Sequence, residues 1–309
     1  MSLRLLFFGT PEYAVPSLRA LAPDVVGVIS QPDRPSGRGR KLEATPVKAT
    51  AEELEIPVLQ PERVGDDEAL EWMRALRPDL GVVVAFGQFI PKKVRELPPQ
   101  RLINGHGSLL PKYRGAAPIP YAVLNGEKKT GITVMRVEKE MDAGDWCLMR
   151  ETDIGQDETA GELSERLSVI CAEALVEAVR QIEAGSAEFY AQDASKATLS
   201  PKLDRSFAQV DWSAPVDEVL RRIRAATPWP GVDVELSPSG KRIRLVAVRA
   251  GGEGDPSPGA VWLDGRLSIG AGGGWVEVVR LQVPGKRPVE VAEFLRGARL
   301  QPGEQVVGT

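Results

Sequence analysis

Two residues of this chain have the types and spacing to address one reacting group: Asn104 and His106, the latter the only histidine among 309 residues. An amide donates and accepts hydrogen bonds, and an imidazole exchanges a proton near neutral pH. Placed two apart at the end of a strand, the two side chains point to the same face. Gly105 and Gly107 remove side chains that would crowd a ligand there. A carboxylate is available in the acidic turn from Glu138 to Asp145, where Asp142 and Asp145 are rivals by residue type. The two cysteines, Cys147 and Cys171, give neither a disulfide framework nor, with one histidine, a zinc site. Both are expected to be buried free thiols.

The elements that must position these residues follow from the hydrophobic pattern. Arg101 to Ile103 reads as a short buried strand running into a loop, and Ser108 to Pro118 is too rich in glycine and proline for regular structure. A helix is expected over 115–124. Leu3 to Phe8 and Asp24 to Ile29 read as buried strands around a helix at 13–21, a βαβ opening that argues for a parallel sheet covered by helices. No GxGxxG follows the first strand, which argues against a dinucleotide-dependent dehydrogenase. Helices are expected at 46–55 and 66–76, a short strand at 57–60, and a strongly buried strand at 79–86. In open α/β sheets ligands bind outside the carboxyl ends of strands. The strands ending near Phe86 and near Asn104 are expected to be neighbours, with their loops around one crevice.

Gln31 to Lys48 interrupts the pattern with a basic insert: Arg34, Arg38, Arg40, Lys41 and Lys48 against Asp33 and Glu43. Connections of this length commonly have a function or stay disordered. Gly37 and Gly39 would leave it flexible until it orders on RNA, as basic segments do. A solvated loop is the other reading. Strands at 131–137 and 146–151 flank the acidic turn, and 159–184 patterns as a long amphipathic helix.

From Asp211–Trp212 the character changes. A helix over 216–226 carries Arg221, Arg222 and Arg224, which read as a solvated face or an RNA contact. Short alternating segments with Gly/Pro punctuation then indicate a small β-barrel. The fold expected is α/β, a Rossmann-like, mostly parallel sheet flanked by helices, followed by a small OB-like barrel. The domains are expected at 1–190 and 206–309, with a linker at 191–205. Residues 1–200 are acidic overall and 201–309 slightly basic, too even a balance to mark nucleic-acid binding alone. Apolar content of 42% and charged content of 27% are those of ordinary globular chains, and no apolar run approaches the ~20 residues that span a bilayer. The first residues lack the pattern of a signal peptide.

The stretch from Asn104 through His106 to Ser108–Pro111, with Asp142 in a later acidic turn, resembles the folate-dependent formyltransferases. Phe8 to Pro11, Gln31 to Gly39, Ser108 to Ile119 and Asp211 to Ser213 extend the resemblance over nearly the whole chain, to the branch that formylates charged initiator tRNA. Thr227 departs from the family's usual asparagine before Pro-Trp-Pro, a change expected to touch only the hinge region. The resemblance implies transfer of a formyl group from 10-formyltetrahydrofolate to the amine of initiator methionyl-tRNA, without a metal. It implies Asn104, His106 and Asp142 as the catalytic set. Ser108, Leu109, Leu110, Pro111, Phe86, Gln88 and Ile90 would contact the folate. Arg34, Arg38, Arg40 and Lys41 would contact the tRNA, with the barrel as a tRNA-binding domain. A cytoplasmic monomer without a membrane partner is expected. Two relatives of this chemistry stay open: a formyltransferase acting on an amino-sugar nucleotide, and a hydrolase that releases formate from formyltetrahydrofolate.

Overall fold

The computed structural model describes residues 2–36, 41–301 and 303–307, with Ser36 and Lys41 described only in their backbone. The chain forms two compact units. One comprises Met1–Gly115, Thr130–Thr152 and Ser164–Leu199; the other comprises Ala116–Lys129, Asp153–Leu163 and Ser200–Thr309.

The first unit is built on a seven-stranded sheet. Its spatial order is Trp146–Asp153, Lys129–Arg136, Leu102–His106, Leu80–Val84, Leu5–Gly9, Val25–Ile29 and Val58–Leu59. The pairings from Leu102–His106 to Val58–Leu59 are parallel, as the βαβ opening predicts, while Lys129–Arg136 runs antiparallel to Leu102–His106. The fold class read from the sequence is the one observed. Leu80–Val84 and Leu102–His106 pair directly, so the two strand ends expected to be neighbours are neighbours.

Two differences matter for the site. The strand does not stop at Ile103; it continues through His106, so Asn104 and His106 are sheet residues rather than loop residues. The helix expected from residue 115 begins at Pro118, because Arg114–Gly115 forms a short strand in a two-stranded pair with Leu199–Ser200.

Alternation along Leu102–His106 explains its composition. Leu102 joins Leu6, Phe8, Val83 and Phe86 in the core against Leu70 and Met73 of the helix Asp67–Ala75. Asn104 and His106 share that parity, and Ile103 and Gly105 face the other way. A Cβ on Gly105 would stand 2.5 Å from Cys171 Sγ and 3.2 Å from a Leu175 methyl, both on the helix Ala160–Glu183. Glycine is therefore required for that helix to lie against the back of the strand.

The basic insert is ordered at its base. Arg34–Ser36 pairs antiparallel with Lys41–Glu43, and a helix starts at Pro46 with Thr45 as its cap. The tip expected to carry Arg38 and Arg40 lies outside the described residues.

In the second unit, the short alternating segments form strands Val232–Ser237, Lys241–Glu253, Val261–Leu263, Leu267–Ala271 and Gly274–Gln282. Pro288–Glu290 and Gln305–Val306 were not legible in the sequence and complete the sheet, with a helix at Val291–Ala298 between them. Strand Lys241–Glu253 has three register shifts against Gly274–Gln282, which bend it. The sheet closes nearly into a barrel: Ala260 bridges Gln305, Val261 N–H donates to Glu304 O, and Val306 N–H donates to Gly259 O. No helix among the described residues is long and apolar enough to cross a membrane.

Candidate active site

His106 is 6% exposed, and both ring nitrogens face protein groups. Nε2 lies 2.9 Å from the carbonyl oxygen of Tyr113. A carbonyl only accepts, so Nε2 carries the hydrogen and Nδ1 is the nitrogen left to exchange a proton. Nδ1 stands 3.7 Å from Asp142 Oδ2, too long for a direct hydrogen bond but within reach of one proton relay. Asp142 Oδ2 also accepts from the backbone N–H of Gly115 at 2.8 Å. The turn brings Asp142, not Asp145, to the imidazole. Asp142 adopts φ 51°, a left-handed conformation that Asp tolerates better than most residues. Gly144 sits so close to Arg136 that a Cβ would stand 2.0 Å from its carbonyl oxygen, which fixes the turn against the strand.

Asn104 is half-buried, two residues from His106 on the same strand face. Its amide is not tied to another group by any hydrogen bond among the described residues, which leaves it available to a ligand. The adjacent antiparallel strand supplies Thr133, opposite His106. Its hydroxyl donates to Ser108 O at 2.7 Å and accepts from Leu110 N at 3.1 Å, pinning the chain as it leaves the strand. Ser108 Oγ donates to Lys112 O at 2.6 Å, closing the loop on itself.

The residues expected to meet folate divide into two groups. Ser108 and Leu110 are buried and Leu109 is half-buried, in the loop that continues from His106 through Pro111. Phe86 is 2% exposed and packs edge-on to Phe8, and Ile90 is also buried, so both side chains belong to the core. Gln88 uses both ends of its amide within the protein, accepting from Val64 N and donating to Pro61 O. Of these three residues only the backbone is open to a ligand, while Phe89 beside them is 71% exposed. Gly87, at φ 83°, makes the turn possible, and Phe86 O is held by Thr10 and Gln31.

Of the residues expected to meet tRNA, Arg34 is exposed on the hairpin. Arg38 and Arg40 lie outside the described residues, as does the Lys41 side chain. The contacts at the base of the hairpin escaped sequence reading. Lys48 Nζ pairs with Asp33 Oδ2 at 2.6 Å, and Gln60 Nε2 donates to Asp33 Oδ1 at 2.6 Å and to Gln31 O at 2.7 Å. Gln192 and Thr198, in the stretch expected as a linker, were missed as well. Tyr113 N donates to Thr198 Oγ1 at 2.8 Å, and Gln192 reaches the acidic turn. No periodicity in a polar segment signals such contacts.

The thiols are not part of this chemistry. Burial pushes Cys147 up to about 11 and Cys171 up to about 12, so neither is a nucleophile at neutral pH.

Comparison with known proteins gives this arrangement a class. The formyl transferase family model matches residues 11–179, and the model of the formyl transferase C-terminal domain matches residues 202–299. The chain is thus a formyltransferase with both parts of that architecture. A methionyl-tRNA formyltransferase of Geobacter sulfurreducens is 43% identical over 98% of this chain and 96% of its own. One of Desulfotalea psychrophila is 44% identical over 97% and 94%. With that identity over nearly the full length, the chain belongs to the methionyl-tRNA formyltransferase family. Solved structures at lower identity share the fold. A sugar 3N-formyltransferase, WlaRD, gives a TM-score of 0.67 at 18% identity over 93% of this chain and all of its own. HypX from Aquifex aeolicus, in complex with tetrahydrofolic acid, gives 0.65 at 20% identity over all of this chain and 51% of its own.

Proposed function

We propose that this enzyme transfers the formyl group of 10-formyltetrahydrofolate to the amino group of methionine on initiator tRNA, for the start of translation. The observation that carries the reading is an imidazole with a carboxylate 3.7 Å from it at the carboxyl end of a parallel strand, with an amide two residues earlier on the same strand face. As the neutral amine attacks the formyl carbon, the carbonyl oxygen gains negative charge. The Asn104 amide donates an N–H to it; removing one such donor typically costs on the order of 100- to 1000-fold in rate. The amine must lose a proton, and the folate nitrogen that leaves must gain one. His106 Nδ1 and Asp142 are the pair that moves it, directly or through a water. Among the described residues no group of three His, Cys, Asp or Glu side chains is placed to hold a metal ion, and hydrogen bonding by Asn104 with proton transfer through His106 and Asp142 needs none.

The folate lies in this reading against Ser108, Leu109, Leu110 and Pro111 and the backbone of Phe86, Gln88 and Ile90. The acceptor end of the tRNA meets Arg34, Arg38, Arg40 and Lys41, and the rest of the acceptor arm meets the barrel unit. The enzyme works in the cytoplasm as a monomer, with a catalytic part at 1–190 and a tRNA-binding part at 206–309.

A formylation assay with purified protein tests the reading. Charged initiator tRNA is expected to be formylated far faster than elongator tRNA, with an amino-sugar nucleotide unmodified and no formate released when acceptor is withheld. Formylation of the sugar, or formate release at the transfer rate, would overturn it.

A further inference from the structure

We propose that Gln192 is a positioning residue for transfer: its amide fixes where the Asp142 carboxylate stands relative to His106. The inference rests on Asp142 serving the reaction as described above. Gln192 Nε2 donates to the carbonyl oxygens of Asp142 and Gly144, each at 2.8 Å. Its Oε1 accepts from Arg114 Nε at 3.1 Å and from Arg114 Nη2 at 2.8 Å. Arg114 is itself buried at 7% exposure. The next residue, Gly115, gives the N–H that Asp142 Oδ2 accepts.

The contacts form a ring. Gln192 holds the backbone that carries the carboxylate and also the arginine next to the N–H that orients it. A left-handed residue such as Asp142 persists only where its surroundings hold it, and two of the constraints on this turn come from one side chain. The donor and acceptor needs single out a primary amide of this length. Glutamate accepts from Arg114 but has no N–H for the two carbonyls. Lysine donates but cannot accept, and asparagine is one methylene short. The amide's hydrogen bonds among the described residues go to these groups and the Met135 sulfur, which ties its effect on transfer to the turn that carries Asp142.

The experiment is a double-mutant cycle in the full-length enzyme. Steady-state formylation of charged initiator tRNA is measured for Gln192→Ala and Gln192→Glu, each alone and combined with Asp142→Asn. For each single variant of Gln192, kcat is expected to fall on the order of 100-fold, the cost of a displaced catalytic group. KM for tRNA and for the formyl donor should stay within about twofold of the parent. In the Asp142→Asn background the Gln192 changes should add no more than about twofold, since both act through one carboxylate. Gln192→Glu is nearly isosteric and keeps the Arg114 contact, so it tests the turn contacts even if Gln192→Ala unfolds. Full additivity in the double variant, or a parental kcat in Gln192→Glu, would overturn the proposal and leave the role of Asp142 standing. A parental kcat in Asp142→Asn would overturn both.

Discussion

At the scale of single residues, the site depends as much on a missing side chain as on those present. Asn104 and His106 face one side of their strand because Gly105 faces the other, and there the helix Ala160–Glu183 lies closer than a methyl group allows. Gly105→Ala is expected to destabilise the protein by about 1–3 kcal/mol, the usual cost of overpacking a core. Because the strand must shift to make room, kcat should fall with the melting temperature. Cys171→Ala removes the sulfur, the nearer of the two clashing groups, so it should return part of the lost stability in the Gly105→Ala background. Leu175 would keep the rest from returning. Thermal melts of the parent, the two single variants and the double variant check this. If Cys171→Ala rescued nothing, the strand would not be seated as described. The buried thiol thus has a packing role, in keeping with its raised pKa of about 12.

At the scale of elements, the basic insert is better ordered at its base than its glycines suggested. Both feet of the hairpin are cross-linked, by the Lys48–Asp33 pair, by Gln60 on Asp33, and by the Ser30–Thr45 hydroxyl contact at 2.6 Å. Hydrogen bonds from Gln60 and Lys48 hold the Asp33 carboxyl below its ordinary value. A depressed carboxylate stabilises above its unfolded pKa and loses that contribution as pH falls through the folded one, so the clamp is closed at neutral pH. Lys48→Met should therefore raise KM for tRNA several-fold while leaving kcat at saturating tRNA and KM for the formyl donor near the parent values. A fall in kcat with KM unchanged would show that the hairpin base serves the chemistry instead. The strands and helices around this insert were legible from alternation and helical spacing, because each buries one apolar face. The shared strand face of Asn104 and His106 was legible from their spacing, and the strand runs through both. The clamps were not: Gln60, Thr133, Gln192 and Thr198 act through polar contacts between distant segments, and no local pattern encodes those. Pro288–Glu290 and Gln305–Val306 were hidden for a related reason, being too short to show a period.

At the scale of the whole molecule, the division seen in the sequence and the grouping of contacts cut the chain differently. The family models part it between residues 179 and 202, yet Ala116–Lys129 and Asp153–Leu163 pack with the barrel rather than with the sheet. The helix Val216–Ala225 shows why. Tyr121 stacks edge-on to Phe207 at 5.3 Å, and the Arg222 guanidinium lies over the same Phe207 ring, with a hydrogen bond to Phe207 O. Arg221 lies so close to Gly126 that a Cβ there would stand 3.0 Å from its Cδ. Arg224 reaches Asp157 at 3.9 Å, and Thr227 O accepts from Gly161 N. Of the three arginines that read as a solvated or RNA-facing row, Arg222 and Arg224 are thus engaged within their own unit, and the stem of Arg221 packs beside Gly126. A fragment spanning 206–309 keeps the barrel strands but loses Tyr121, Gly126, Asp157 and Gly161, and it leaves Phe207 and the arginine-bearing face of its helix uncovered. Expressed alone, it is expected to unfold at lower urea than the barrel does in the full chain, with amide hydrogen exchange of the barrel strands as the reporter, and to bind a hydrophobic dye. Only the intact chain restores these contacts, because in sequence the two missing pieces lie between segments of the first unit. If the fragment matched the full chain's midpoint, the barrel would be self-sufficient and the pieces at 116–129 and 153–163 would add nothing to its stability.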